Sequence, residues 1–161
     1  MANYTNPHKF NIVLNSKQSA TPANNVNNKS YYFNWSNIPD RKYQMTFSYR
    51  GNIQINATGS DHPCIFLNMG STPSCYQANG TSGASIVSSF IGSLQTTTHI
   101  NADLYYFCSQ YDNPPVFFES VPRSDINVSI LDDDFLTPFM VTVGPTALSD
   151  YVIILHFEEI I

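Results

Sequence analysis

The sequence is poor in charge. Only 12% of its 161 residues are Asp, Glu, Lys or Arg. Its formal net charge is -5, and no Lys/Arg cluster exists, which argues against a surface that tracks nucleic-acid phosphates. No segment approaches the roughly 18 consecutive apolar residues of a membrane helix. The opening stretch MANYTNPHKF carries no apolar h-region, so no Sec-type signal peptide is expected and the protein is expected not to be secreted. Cysteine is scarce, at 3 residues, an odd number. Cys64 and Cys75 could pair, but without an export signal free thiols in a reducing compartment are the expectation. The 6 N-x-[ST] sequons, at Asn3, Asn28, Asn34, Asn56, Asn79 and Asn127, are then chance products of an Asn- and Ser-rich chain.

Catalytic and metal-binding patterns are also missing. No P-loop, G-x-G-x-x-G or G-x-S-x-G occurs, and no His-Asp pattern can be placed around a candidate nucleophile. The four histidines are His8, His62, His99 and His156, and no H-x-H pair exists to start a cupin metal site. His156, between Leu155 and Phe157, reads as a packed or hydrogen-bonded histidine. His62, Cys64, Cys75 and Cys108 lack the C-x₂₋₄-C spacing of zinc sites, and Cys108 reads as a small core residue. Asp132-Asp133-Asp134 departs from the EF-hand loop and reads as a solvated acidic turn. Glu158 and Glu159 are adjacent, so on a strand they point to opposite faces and make a poor acid/base pair. The expectation is a protein with no catalytic residues, no cofactor site and no metal site.

What the chain has is aromatic richness (14%) and strict alternation. In Tyr43 to Ala57, Tyr43, Met45, Phe47, Tyr49, Ile53, Ile55 and Ala57 are apolar at every second position, with Gly51 at the gap. Successive strand side chains point to opposite faces, so this is the pattern of a half-buried strand. A two-residue hairpin at Gly51 would reverse the parity. The stretch is therefore one long strand bent near Gly51, which we favour, or a hairpin with an Arg50-Gly51-Asn52 loop. The even positions, Gln44 to Asn56, form a polar face that is wet in a free monomer and a possible contact in an assembly.

Seven further strands are expected: Lys9 to Leu14, Ser30 to Trp35, Cys64 to Met69, Ala84 to Leu94, Asp103 to Ser109, Val116 to Leu131 interrupted at Pro122-Arg123-Ser124, and Tyr151 to Glu158. Met1 to His8 reads as a flexible arm, and residues 9–161 as one domain. Asn15 to Lys29, Ser71 to Gly83, Gln95 to Ala102 and Asp132 to Ser149 read as polar connections. The fold class is all-β: an eight-stranded antiparallel β-sandwich, of which the jelly roll is the eight-stranded form. Tyr31, Tyr32, Trp35, Tyr105 and Tyr106 could form a sugar-stacking platform, though aromatics in a sandwich more often fill the core.

Three segments carry a resemblance. They are FNIVLNS with YYFNWSNIPDRKYQMTFSYRG (Phe10 to Ser16, Tyr31 to Gly51), NPPVFFESVPRSDINVSILDDDF (Asn113 to Phe135) and DYVIILHFEEI (Asp150 to Ile160). In that order they resemble the small single jelly-roll minor capsid or penton-type proteins of large icosahedral double-stranded DNA viruses. The resemblance implies a structural virion protein assembled inside the host cell. It would pack against other capsid proteins, including a major capsid protein, in many copies, with no nucleic acid and no membrane span. It brings no catalytic residues. The alternative is a lectin-like or TNF-like jelly-roll module that binds a glycan or receptor, and a cupin-type metalloenzyme is a third reading.

Overall fold

A computed structural model describes residues 6–20, 28–54, 63–78, 85–101, 104–109, 112–131 and 151–161. Among them the chain is all-β and antiparallel. The strands are β1 (Lys9–Asn15), β2 (Asn28–Tyr31), β3 (Tyr43–Gln54), β4 (Cys64–Asn68), β5 (Cys75–Ala78), β6 (Ser85–Ser88), β7 (Phe90–Asn101), β8 (Leu104–Ser109), β9 (Val116–Phe118), β10 (Ile126–Leu131) and β11 (Tyr151–Glu159). Eight of them form one path, β1-β11-β3-β8-β7-β4-β10-β2. Strand β9 pairs with β3 off that path, and β5-β6 is a separate hairpin.

The sheet is nearly barrel-shaped. The path turns at β7, whose two ends pair with different strands. Ser93, Gly92 and Phe90 pair with β4, whereas Leu94 to Asn101 pair with β8. At the crossover the pairing register slips between Ile65 and Phe66, a bulge-like irregularity of the kind that bends strands. The Asn113 side chain serves the corner as a substitute partner. Its Oδ1 accepts from the Ser93 N–H at 2.9 Å, and its Nδ2 donates to the Ser93 carbonyl at 2.9 Å. Gly92 leaves the space this needs, because a Cβ there would sit 2.5 Å from Asn113 Cγ and Oδ1 and 2.7 Å from Phe47 Cε1.

Curling brings the β2 end of the path against β11. Tyr43, Met45, Phe47 and Tyr49 of β3 face inward with Tyr151, Ile153, Leu155 and Phe157 of β11, Ile12 and Leu14 of β1, and Ile126, Val128 and Ile130 of β10. Trp35 lies edge-on to Phe157 at 6.1 Å between ring centres. Fully burying each such side chain contributes about 1.5–3 kcal/mol before chain entropy is counted.

The long alternating stretch is one strand through Gly51. Gly51 pairs with Tyr151 on one side and Phe107 on the other, so no hairpin forms there. Ile55 to Ala57 lie outside the described residues. Other boundaries differ from expectation. Val116 to Leu131 is two strands in different parts of the sheet, β9 on β3 and β10 between β4 and β2. Pro122 lacks an N–H, and the segment before β10 wraps Trp35 instead. Trp35 Nε1 donates to the Ser124 carbonyl at 2.8 Å, Val121 N–H donates to Asp40 Oδ1 at 3.2 Å, and Arg123 pairs with Asp40 at 2.8 Å. Strand β2 ends at Tyr31, and Trp35–Asn37 forms a 3₁₀ turn whose Ser36 N–H is capped by Asn34 Oδ1. Gln95 to Asn101 is strand, not connection, because its threonines suit a sheet despite their polarity. The expected strand Ala84 to Leu94 breaks at Ser89 between β6 and β7, and the expected loop Ser71 to Gly83 contains β5. Asp132 to Ser149 lie outside the described residues.

Candidate functional site

Register decides what lies on the outer face of β1, β11 and β3. Residues paired across antiparallel strands share a face, so the polar set of each strand falls into rows. The first row is Lys9, Glu158, Gln44 and, through β9, Phe117. The second is Asn11, His156 and Thr46; the third Val13, Ile154 and Ser48; the fourth Asn15, Val152 and Arg50. Thr46, Ser48 and Arg50 are exposed and Gln44 half-buried, so the even positions of β3 form the expected polar face as far as Arg50.

Side chains within the rows are tied together. Lys9 Nζ lies 2.6 Å from Glu158 Oε1, and Gln44 Nε2 donates to Glu158 Oε2 at 3.2 Å. The Lys9 and Gln44 contacts hold the Glu158 carboxyl below the usual carboxylate range. His156 bridges three strands, with Nε2 2.9 Å from Ser48 Oγ and Nδ1 2.9 Å from Asn11 Oδ1. Asn11 Oδ1 can only accept, so Nδ1 carries the proton; in the neutral ring Nε2 then accepts from the Ser48 hydroxyl. A serine–histidine–amide line is the arrangement of an activated nucleophile. Here it runs across an open face, and Ser48 is not among the residues lining the neighbouring depression. That depression, of about 400 Å³, is lined by Lys9, Asn11, Gln44, Thr46, His156 and Glu158, with Pro115 at its side.

Glu159 turns the other way, as its adjacency to Glu158 requires. It accepts from the His8 N–H at 2.8 Å and from Arg41 Nη1 at 2.7 and 2.9 Å, and these donors, His8 first, hold its carboxyl low. Glu159 N–H returns a bond to the His8 carbonyl at 2.9 Å. The last residue of the expected N-terminal arm is thereby tied to the last strand, and the His8 ring packs on Phe10 and Tyr43. Met1 to Thr5 lie outside the described residues.

The proposed aromatic platform does not assemble. Tyr31 and Trp35 are core residues at 7% and 6% exposure, and Tyr32 stands out at 79%. The side chains of Tyr105 and Tyr106 lie outside the described set. The hydroxyls of Tyr31 and Tyr151 are buried near each other, outside hydrogen-bonding geometry, and desolvation pushes both phenols up. The exposed aromatic on the outer face is Phe117, which periodicity alone could not place because β9 was read as continuous with β10.

Cys64, Cys75 and Cys108 are free thiols. Among the described residues no group of three or more His, Cys, Asp or Glu side chains is arranged to hold a metal ion. His62 and Asp132 to Asp134 lie outside them, as does the side chain of His99. No helix among the described residues is long and apolar enough to cross a membrane.

Comparison with known proteins finds no matching family model, no matching curated protein and no matching solved structure.

Proposed function

We propose that the chain is a single jelly-roll subunit of an icosahedral double-stranded DNA virus capsid, a minor capsid, cement or penton protein that acts by packing. The observation that carries the reading is the strand order. Cut between β8 and β7, the path gives two four-stranded halves, β1-β11-β3-β8 and β7-β4-β10-β2. Chain neighbours β1 and β2 then fall in opposite halves, as do β3 and β4, β7 and β8, and β10 and β11. That alternation is what a jelly-roll winding would give and supports that reading, with the β5-β6 hairpin and β9 then as additions. Together with the three segments that resemble penton-type proteins, it favours a coat subunit over an enzyme.

The mechanism is burial. The core closes the subunit, and exposed Val13, Tyr32, Tyr76 and Phe117 with the polar outer face are left for neighbours, including a major capsid protein. A standard-size contact buries about 1,600 Å² in total. A surface so poor in charge suits permanent contacts, whose centres are depleted of charged residues. On this reading the subunit belongs to the virion and is assembled within the host cell.

The test is quantitative mass spectrometry of gradient-purified particles. A fixed ratio of this chain to the main coat protein through successive gradients is expected. Recovery only in the soluble cell fraction overturns the proposal.

A further inference from the structure

We infer that the depression on the outer face of β1, β11 and β3 is a binding site for a neutral saccharide. The inference concerns the free subunit and does not depend on the capsid reading, in which the same face meets a neighbour.

Three observations converge there. First, besides Phe10, Phe157 and Pro115 the lining carries six polar residues on adjacent strands. Lys9, Asn11, Gln44, Thr46, His156 and Glu158 come from three strands in continuous register, and an ion pair and hydrogen bonds tie five of them, all but Thr46. A site on paired strands is pre-organised, so little side-chain freedom is lost on binding. Second, an aromatic ring stands beside it. Phe117 is opposite Gln44 on β9, faces the same way and is 55% exposed. Its ring face, with its negative quadrupole, suits the C–H side of a pyranose, while planar amide and carboxylate groups beside it suit vicinal hydroxyls. Third, the charge selects a neutral ligand. Lys9 and Glu158 neutralise each other, so neither an anionic nor a cationic ligand finds an uncompensated partner in that pair. The volume, about 400 Å³, lies at the small end of the ligand-pocket range.

The sugar-stacking chemistry considered for Tyr31 and Trp35 thus moves to the opposite side of the sheet. Phe117 supplies the stacking surface. Gln44, Asn11 and Glu158 orient the hydroxyls. His156, held by Ser48 and Asn11, forms part of the floor.

The test uses the full chain in two-dimensional NMR titrations with methyl glycosides of glucose, galactose, mannose, fucose and N-acetylglucosamine. At least one glycoside is expected to shift the resonances of Thr46, His156 and Phe117 saturably. Phe117→Ala and Gln44→Ala should each weaken that binding at least tenfold, while Tyr32→Ala, which removes an exposed aromatic elsewhere, leaves it unchanged. Dispersed spectra of each variant establish folding, and the shift map of the unsubstituted protein locates the site without any variant. Absence of saturable shifts with all five glycosides overturns the inference. So do shifts that map away from the outer face, or binding that survives Phe117→Ala.

Discussion

Replacing Gly92 by alanine tests the corner on which the curled sheet depends. The added Cβ would lie 2.5 Å from Asn113 Cγ and Oδ1 and 2.7 Å from Phe47 Cε1. Neither neighbour moves freely. Phe47 is a core residue, and Asn113 is held by two hydrogen bonds to the Ser93 backbone. Overpacking a core costs about 1–3 kcal/mol, and each hydrogen bond lost as Asn113 shifts costs about 1 kcal/mol more. The expected total is about 2–4 kcal/mol, and a loss near 3 kcal/mol lowers Tm by about 6–12 °C in a domain of this size. Urea unfolding followed by tryptophan fluorescence should show a lower midpoint at unchanged slope. Asn113→Ala alone should cost about 1–3 kcal/mol, because the Ser93 N–H and carbonyl lose their partner. The double variant should cost less than the sum by about 0.5 kcal/mol or more, since removing the amide removes the shortest contacts. A Gly92→Ala protein within about 0.5 kcal/mol of the parent, or strict additivity in the double variant, would refute this account of the corner.

Other outcomes follow from the same packing. Phe47→Asp places an unpaired carboxylate in the core and should abolish cooperative unfolding by circular dichroism, whereas Thr46→Asp, two rows from Arg50 on the exposed face, should stay folded within about 0.5 kcal/mol and fail to enter particles. A folded Phe47→Asp protein would mean that the inward face of β3 is misassigned. Burial raises the phenols of Tyr31 and Tyr151 above the usual tyrosine range. Their folded pKa values lie above the unfolded value near 10, so the stability they contribute is complete below that pH and is lost as pH rises from it toward the folded values; spectrophotometric titration should show late-titrating tyrosines. Simple titration of all tyrosines near pH 10 in a native fold would contradict that. Tyr151→Phe removes a buried hydroxyl outside hydrogen-bonding geometry and should leave stability unchanged or raise it by about 1 kcal/mol in a denaturant melt. The lowered carboxyls of Glu158 and Glu159 give stability that is present above their ordinary value of 4.5 and lost as pH falls below it. Glu158→Gln and Glu159→Gln should each flatten the acid limb of the stability–pH curve.

Period-two alternation made most of the sheet legible. The strands that alternate cleanly, β1, β3 and β10, bury the residues that parity assigns, because one face of each is committed to a common core, whereas β11, apolar on both faces in its first half, fully buries only one of them. Segments governed by long-range partners were less legible. Gln95 to Asn101 is polar yet lies in the sheet because β8 supplies its partner strand. The break between β9 and β10 depends on Trp35 and Asp40, roughly eighty residues upstream, meeting Ser124 and Val121. The outer-face site shows the same limit. Alternation places Asn11, Ser48 and His156 on polar or mixed faces, but only the register of β1, β11 and β3 brings them together. Nor does any local pattern set Phe117 beside Gln44, since that pairing follows from β9 docking at the start of β3.

The most direct test of the central claim is a cryo-electron microscopy reconstruction of intact particles that contain this chain. The account predicts symmetry-repeated shell density that follows the order β1-β11-β3-β8-β7-β4-β10-β2, with its exposed side chains buried against neighbouring coat subunits. A shell fully accounted for by other proteins, with this chain absent from every position, would contradict it.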